Sequence, residues 1–280
     1  MNEDFINFKK FVDHVYHEFE QKVSLEEVSE LLSLEDGYNR DSHHSTGRNL
    51  SIARLIFSGE KRNSEPISFD QSFHKGINVW IADNHKGKST IFKIIKFVLT
   101  GRNKIKRDIQ PWIEEILLEF NVGKVLYTCH VDSRGRARGT LFRFSIEEYQ
   151  HLAELGKLDT VDSRTEFTFR SAAELERNMQ EFFFDQFSFY SMKYTQKDSA
   201  KDSFALRTSN LSWATYYKSI YLESSNYEYL FFDEERKGAQ GRKIFEMILG
   251  LPLTYPINAL SLQRDRIKES IGKAKMTFKT

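Results

Sequence analysis

Ile77-Asn78-Val79-Trp80-Ile81-Ala82-Asp83-Asn84-His85-Lys86-Gly87-Lys88-Ser89-Thr90 changes its period halfway along. Ile77, Val79 and Ile81 alternate with other residues, the spacing of a strand; beyond Thr90, Ile91, Ile94, Ile95 and Val98 recur at helical steps. The pattern predicts strand, loop and helix, with the loop ending in Gly87-Lys88-Ser89-Thr90. Backbone N–H groups at a helix N-terminus hold phosphate oxygens, and the helix dipole adds to them. Gly87 lets the backbone approach the phosphates, Lys88 reaches the terminal ones, and the Ser89 hydroxyl ligates Mg²⁺. The stretch therefore reads as the second half of a phosphate-binding loop. The full pattern opens on glycine, and here Ala82 stands in that place, small but without glycine's freedom at positive φ. The competing reading is a chance Gly-Lys-Ser-Thr at an ordinary helix start. A strand before it and an amphipathic helix after it argue against chance.

Composition narrows the class. The 280 residues suffice for one larger domain or two small ones, and 40% apolar content supports a packed core rich in Phe and Tyr. A net charge of +1 points to neither nucleic acid nor membrane. Cys129 is the single cysteine, which excludes an intramolecular disulfide and a cysteine zinc site. It falls in an expected strand and reads as a small buried hydrophobe. The acidic start, Met-Asn-Glu-Asp, is unlike a signal peptide. No apolar run reaches membrane-spanning length, so no membrane partner is expected and the expected location is the cytoplasm.

Along the chain, Phe5, Phe8, Val12, Val15 and Phe19 predict a helix, and Ser24 with Glu27 forms a capping box ahead of Val28, Leu31 and Leu32. This segment reads as a small helical cap or as a docking element for a partner. His14, His17, His43 and His44 lie on polar faces or in loops, without the ligand spacing of a metal site. Asp36 to Arg48 has linker composition. Leu50–Phe57 and Ile67–Phe69 predict two strands about a turn that carries Lys61 and Arg62. A basic loop, Gly101 to Arg107, follows the first helix. Ile116–Phe120, Val125–Val131 and Leu141–Phe144 predict an antiparallel meander, with Gly123 in one turn. Helices are expected at 146–156 and 171–183, a strand at Thr165–Phe169, and a polar loop at 195–212. From Ala259, Leu260, Leu262, Ile267 and Ile271 predict a charged helix like the root of a coiled coil. The domain boundaries expected are a helical segment at 1–45, a main lobe at 46–258 and this helix at 259–280.

Several of these residues carry a resemblance to the N-terminal half of the SMC-like ABC ATPases, which include RecN, SbcC and the double-strand-break repair heads. Asn84 sits at the family's Asn position, and His85 replaces its second Gly. Leu50–Phe57 and Ile67–Phe69 look like the strands that open such heads, and Lys96-Phe-Val-Leu-Thr-Gly101 like the end of their first helix. Ser219-Ile-Tyr-Leu222 and Ile248-Leu-Gly-Leu251 are similar to the segments around the Q-loop and the approach to the coiled coil. The resemblance covers about residues 48 to 272. It implies an α/β P-loop NTPase fold, an ABC/SMC-type head N-lobe with an antiparallel β-meander and the start of a coiled coil. It implies ATP held by Asn84, His85, Lys86, Gly87, Lys88, Ser89 and Thr90, and Mg²⁺ by Ser89 and Gln240. Lys61 and Arg62 are the basic residues whose loop lies near the nucleotide in such heads; a solvated turn is the other reading.

The catalytic residue stays unassigned. Tyr229-Leu-Phe-Phe-Asp233-Glu234 has the look of a Walker B motif. Yet no Leu-Ser-Gly-Gly signature precedes it, and Lys237-Gly-Ala-Gln-Gly241 follows at once. The other reading is a variant Q-loop region, with Gln240 turned to Mg²⁺. On that reading hydrolysis awaits a C-terminal lobe or a second ATPase head in a dimer, with accessory subunits as further expected partners. The implied function is ATP binding and head engagement on duplex DNA, in repair or in plasmid or phage (antiviral) defence. Arg134, Arg136 and Arg138 are spaced by two, so an extended hairpin turns them to one side, where they suit DNA phosphates. Ala82 and His85 instead favour the alternative, a catalytically weak P-loop module in a regulatory or protein-interaction role. A P-loop kinase is disfavoured, because no lid segment with clustered arginines is present.

Overall fold

The computed structural model describes residues 10, 12–14, 16–17, 24–25, 47–81, 83, 87–189, 192–197, 206–222, 240–249, 251 and 254–277. The chain divides into two units, Thr46–Phe187 and Ser188–Thr280 with Met1–Ser45.

The Thr46–Phe187 unit contains, in chain order, β1 (Leu50–Glu60), β2 (Pro66–Ser72), α1 (Lys88–Thr100), β3 (Glu115–Val122), β4 (Val125–Asp132), β5 (Arg138–Phe142), α2 (Ile146–Glu154), β6 (Thr165–Phe169) and α3 (Ala172–Phe187). Its six strands form one antiparallel sheet in the order β2-β1-β3-β4-β5-β6. The expected meander is present, with β1 and β2 added to the β3 edge. Register assigns the faces. Leu118 opposes Leu55 and Cys129, and Phe120 opposes Tyr127, so these residues share one side. There α3 lays down its aromatics: Phe182 meets Tyr127 edge-on at 5.0 Å, and Phe183 lies 5.9 Å from Phe120. Cys129 is fully buried, and burial pushes its thiol pKa up.

On the other side, Leu117, Phe142, Phe144, Ile146, Tyr149 and Val161 form a second core under α2. The first turn of α2 is held twice. Ser145 caps it by accepting from the Glu148 N–H at 3.2 Å, and the buried Glu119 carboxylate accepts from the Ile146 N–H at 2.7 Å. Arg54 ties three elements together, bidentate on Asp70 of β2 and 2.6 Å from Glu147 of α2.

Helix α1 is buried along its C-terminal half, where Phe97, Val98, Leu99 and Thr100 are all inaccessible. It ends at Gly101, in the left-handed region at φ 69° with its N–H donated to the Phe97 carbonyl at 2.7 Å. A Cβ on Gly101 would fall 2.3 Å from the Glu176 backbone nitrogen, so glycine is required by both conformation and contact.

The expected strand over Ile77, Val79 and Ile81 is not formed. These three side chains are 94%, 72% and 93% exposed, and no described strand lies beside them. A strand needs a neighbour for its backbone groups, and this unit supplies none there. Asn78 instead folds the segment back, accepting from the His74 N–H and donating to the His74 and Gly76 carbonyls.

The second unit is described by its own contacts. The stretch expected to be a polar loop at 195–212 contains a hairpin, β7 (Lys193–Lys197) and β8 (Leu206–Asn210). After it come α4 (Trp213–Tyr217), α5 (Gln240–Ile248) and α6 (Thr254–Thr277). Helix α6 starts before the expected Ala259. Its Asn258 amide accepts from the Lys193 N–H at 3.1 Å and donates to the Lys193 carbonyl at 2.8 Å. One side chain thereby copies a neighbouring strand's hydrogen bonds, and Thr195 adds a bond to Asp265. These contacts join residues on either side of 258 within the second unit.

At the N-terminus, residues 12–14 and 16–17 are helical with Val12 buried, and Leu25 is helical directly after Ser24. The rest of that expected segment, with the linker up to Thr46, lies outside the described residues. Among them, no helix is long and apolar enough to cross a membrane.

Phe183 is fully buried among Phe120, Phe182 and Phe187. Phe183→Ala is expected to lower the unfolding free energy by about 3–5 kcal/mol. Urea denaturation followed by circular dichroism measures the loss.

Candidate nucleotide site

The site is built at the start of α1. Gly87 is the N-cap residue, at φ 84° and ψ 2°, and a Cβ there would meet nothing within 4 Å. No described residue crowds that side of Gly87, while the backbone conformation itself calls for glycine. The Gly87 carbonyl accepts from the Thr90 and Ile91 N–H groups at 2.9 and 3.1 Å, which begins the helix. Gly87 has no side chain to cap the first turn, and no acid stands in it. The partial positive charge of the helix start thus lacks a counter-charge from the helix itself.

Lys88 reaches back over the loop and donates from Nζ to the Asp83 carbonyl at 2.9 Å. It is partly buried. Ser89 is exposed and Thr90 partly buried. An ammonium, two hydroxyls and an uncapped helix start make a donor set that fits a polyphosphate with its divalent cation. Ala82, Asn84, His85 and Lys86 lie outside the described residues.

A family model described as an AAA domain matches residues 55–275. The chain belongs to the AAA-domain family. The AAA domain here is an ATPase domain of the SMC-like class, and it binds nucleotide through a P-loop NTPase fold. The matched span runs from β1 into α6 and so takes in parts of both units. Members of the family use ATP with Mg²⁺. No curated protein matches the chain.

The other expected site residues of the AAA domain fall in different places. Gln240 opens α5 in the second unit, with its side chain outside the described residues. Tyr229 to Glu234 also lies outside them. Lys61 pairs with Glu65 across the β1–β2 turn, and Arg62 is exposed at its tip.

The three arginines do not form the expected row. Arg134 and Arg136 sit in the turn between β4 and β5, with Gly135 at φ 80°, so strand alternation does not apply to them. Arg134 and Arg138 both close on Asp132, at 3.2 and 2.9 Å. Arg136 alone of the three makes no ion pair among the described residues. Asp132 went unnoticed in the sequence, although acids two and six residues from arginines in a hairpin are a readable signal. Trp80 went unnoticed too, an aromatic placed between the apolar Val79 and Ile81.

The Arg134 guanidinium, hydrogen-bonded to the Asp132 carboxylate, holds its pKa down to about 2 against the opposing effect of burial, and Arg138 adds to the lowering. An unperturbed Asp titrates at about 3.9. A carboxyl depressed on folding stabilises the fold above its unfolded value, and that contribution is lost as pH falls through the folded one. Asp132→Asn is therefore expected to lower stability by about 1 kcal/mol at pH 7. Denaturant titrations at a series of pH values should show the gap between parent and variant shrinking from about pH 5 towards pH 2.

Proposed function

We propose that this chain is the ATP-binding N-terminal part of an SMC-like ATPase acting on DNA, in repair or in plasmid or phage defence. The observation that carries the reading is the start of α1, where Gly87 opens an uncapped helix terminus with Lys88 and Ser89 beside it. ATP phosphates would lie against these backbone N–H groups and Lys88, with Ser89 turned to Mg²⁺. The bound cation would offset phosphate charge during hydrolysis. Hydrolysis awaits groups from a C-terminal lobe or a second head, which nucleotide would draw into engagement.

Two surfaces support completion from outside. Ile77, Val79 and Ile81 form an apolar row directly before the loop, with strand period and no strand beside it among the described residues. On α6, Ile257, Ile267 and Ile271 are exposed, and with Leu260 they stand at steps of three, seven and four, which keeps them on one side of the helix as in a coiled-coil seam. A second helix against that seam is the expected coiled coil.

Calorimetry with Mg-ATP tests the reading. The parent chain is expected to bind and Lys88→Ala to show no binding, while losing only about 1 kcal/mol of stability with the Asp83 hydrogen bond. A parent that binds no nucleotide would shift the reading to the regulatory P-loop module.

For DNA, the β4–β5 turn is the proposed contact. Asp132 already engages Arg134 and Arg138, so Arg136 is the residue expected to meet phosphates most directly. Arg136→Glu should weaken binding to any duplex and reduce the salt slope by about one. Fluorescence anisotropy across a salt series, on the assembled ATPase, reads both; an unchanged slope removes this turn from the DNA surface.

A further inference from the structure

Among the described residues, Trp80 packs the chain that enters the phosphate loop against the helix that leaves it. Trp80 is half-buried, and its ring lies 5.4 Å from Phe92 of α1. The same ring lies 5.3 Å from Phe73 and meets Phe69 of β2 edge-on at 6.0 Å. Phe69 in turn stacks on Phe57 of β1 at 4.9 Å. The flanking Ile77, Val79 and Ile81 point away and are exposed, and the Asn78 hydrogen bonds are local to residues 74–78. Trp80 is therefore the described side chain that ties this stretch to both the sheet and α1.

We propose that Trp80 is a positioning residue of the nucleotide site, closing the base of the phosphate loop by wedging between β2 and α1. A loop whose ends are already held loses less conformational freedom when phosphate orders its N–H groups. Tilted and edge-on aromatic pairs supply the hold without polar chemistry. Phe92 follows Lys88 by one helical turn, so the clasp also fixes the helix start that Lys88 and Ser89 share. The sequence offers no other aromatic between Trp80 and Phe92 to take this place.

The inference rests on the nucleotide-binding reading, and Mg-ATP calorimetry separates the two. With a parent that binds, Trp80→Ala is expected to bind about tenfold more weakly, whereas Trp80→Phe, which keeps an aromatic wedge, stays within about threefold. Phe92→Ala, which leaves Trp80 on Phe69 and Phe73, is expected to lose affinity like Trp80→Ala, and it carries the test if the Trp80→Ala chain does not fold. Urea transitions measured without nucleotide identify the folded variants. Parent-like affinity in a folded Trp80→Ala, or in Phe92→Ala, overturns the clasp. Equal losses in Trp80→Phe and Trp80→Ala overturn it as well, because the wedge is argued to need only an aromatic ring. No binding by the parent overturns the nucleotide reading and the clasp together.

Discussion

Gly101 meets two steric demands at one carbon. Its backbone is left-handed, and its Cα approaches the Glu176 backbone so closely that no side chain fits. The crossing of α1 with α3 is set there. Helix α3 is itself seated on the sheet by Phe182 and Phe183 against Phe120 and Tyr127. The N-terminus of α1, thirteen residues back along a rigid helix, inherits its position from that crossing. The phosphate loop is thus held from behind by backbone contact at Gly101 and from the front by the Trp80 ring against Phe92. An uncapped helix terminus placed this way can keep its N–H groups for a ligand, because packing elsewhere holds the helix.

Charge in this unit serves the scaffold more than a ligand. Arg54 is bonded to Asp70 and Glu147, Arg102 to Glu176, and Arg134 with Arg138 to Asp132. Each pair joins separate elements or closes a turn, and most are partly exposed, so each contributes little alone. Their larger effect is to remove arginines from the pool able to meet phosphates. A count of basic residues overstates the unpaired positive charge of the β4–β5 turn for this reason.

The second unit inverts the usual arrangement of an amphipathic helix. Helix α6 turns Asn258, Asp265 and Glu269 to the β7–β8 hairpin, while Ile257, Ile267 and Ile271 face outward. Asn258 and Thr195 suit this role because an amide and a hydroxyl can match backbone groups that an apolar side chain would strand. An aliphatic stripe left open over several turns costs solubility unless something covers it. That is the physical ground for reading the helix as half of a larger packing unit.

The local pattern by itself determined the meander, α1 with its glycine stop, the strand at Thr165–Phe169 and the phosphate-loop glycine, since alternation, helical period and glycine conformations are properties of neighbouring residues. Val125–Val131 read as a strand from its own residues, and Cys129 within it as a small buried hydrophobe. Three features lay beyond that reach. The row Ile77, Val79 and Ile81 has strand period, yet a strand exists only where another backbone pairs with it, and that is a tertiary condition. The polar stretch from Lys193 to Asn210 lacks apolar alternation, and its hairpin depends on Asn258 and Asp265, more than fifty residues away. The arginines at 134, 136 and 138 are evenly spaced in sequence, but a turn at Gly135 and the Asp132 carboxylate paired two of them with one acid and left Arg136 without an ion pair among the described residues. Sequence periodicity reports which side a residue faces; what waits on that side is decided only when distant segments meet.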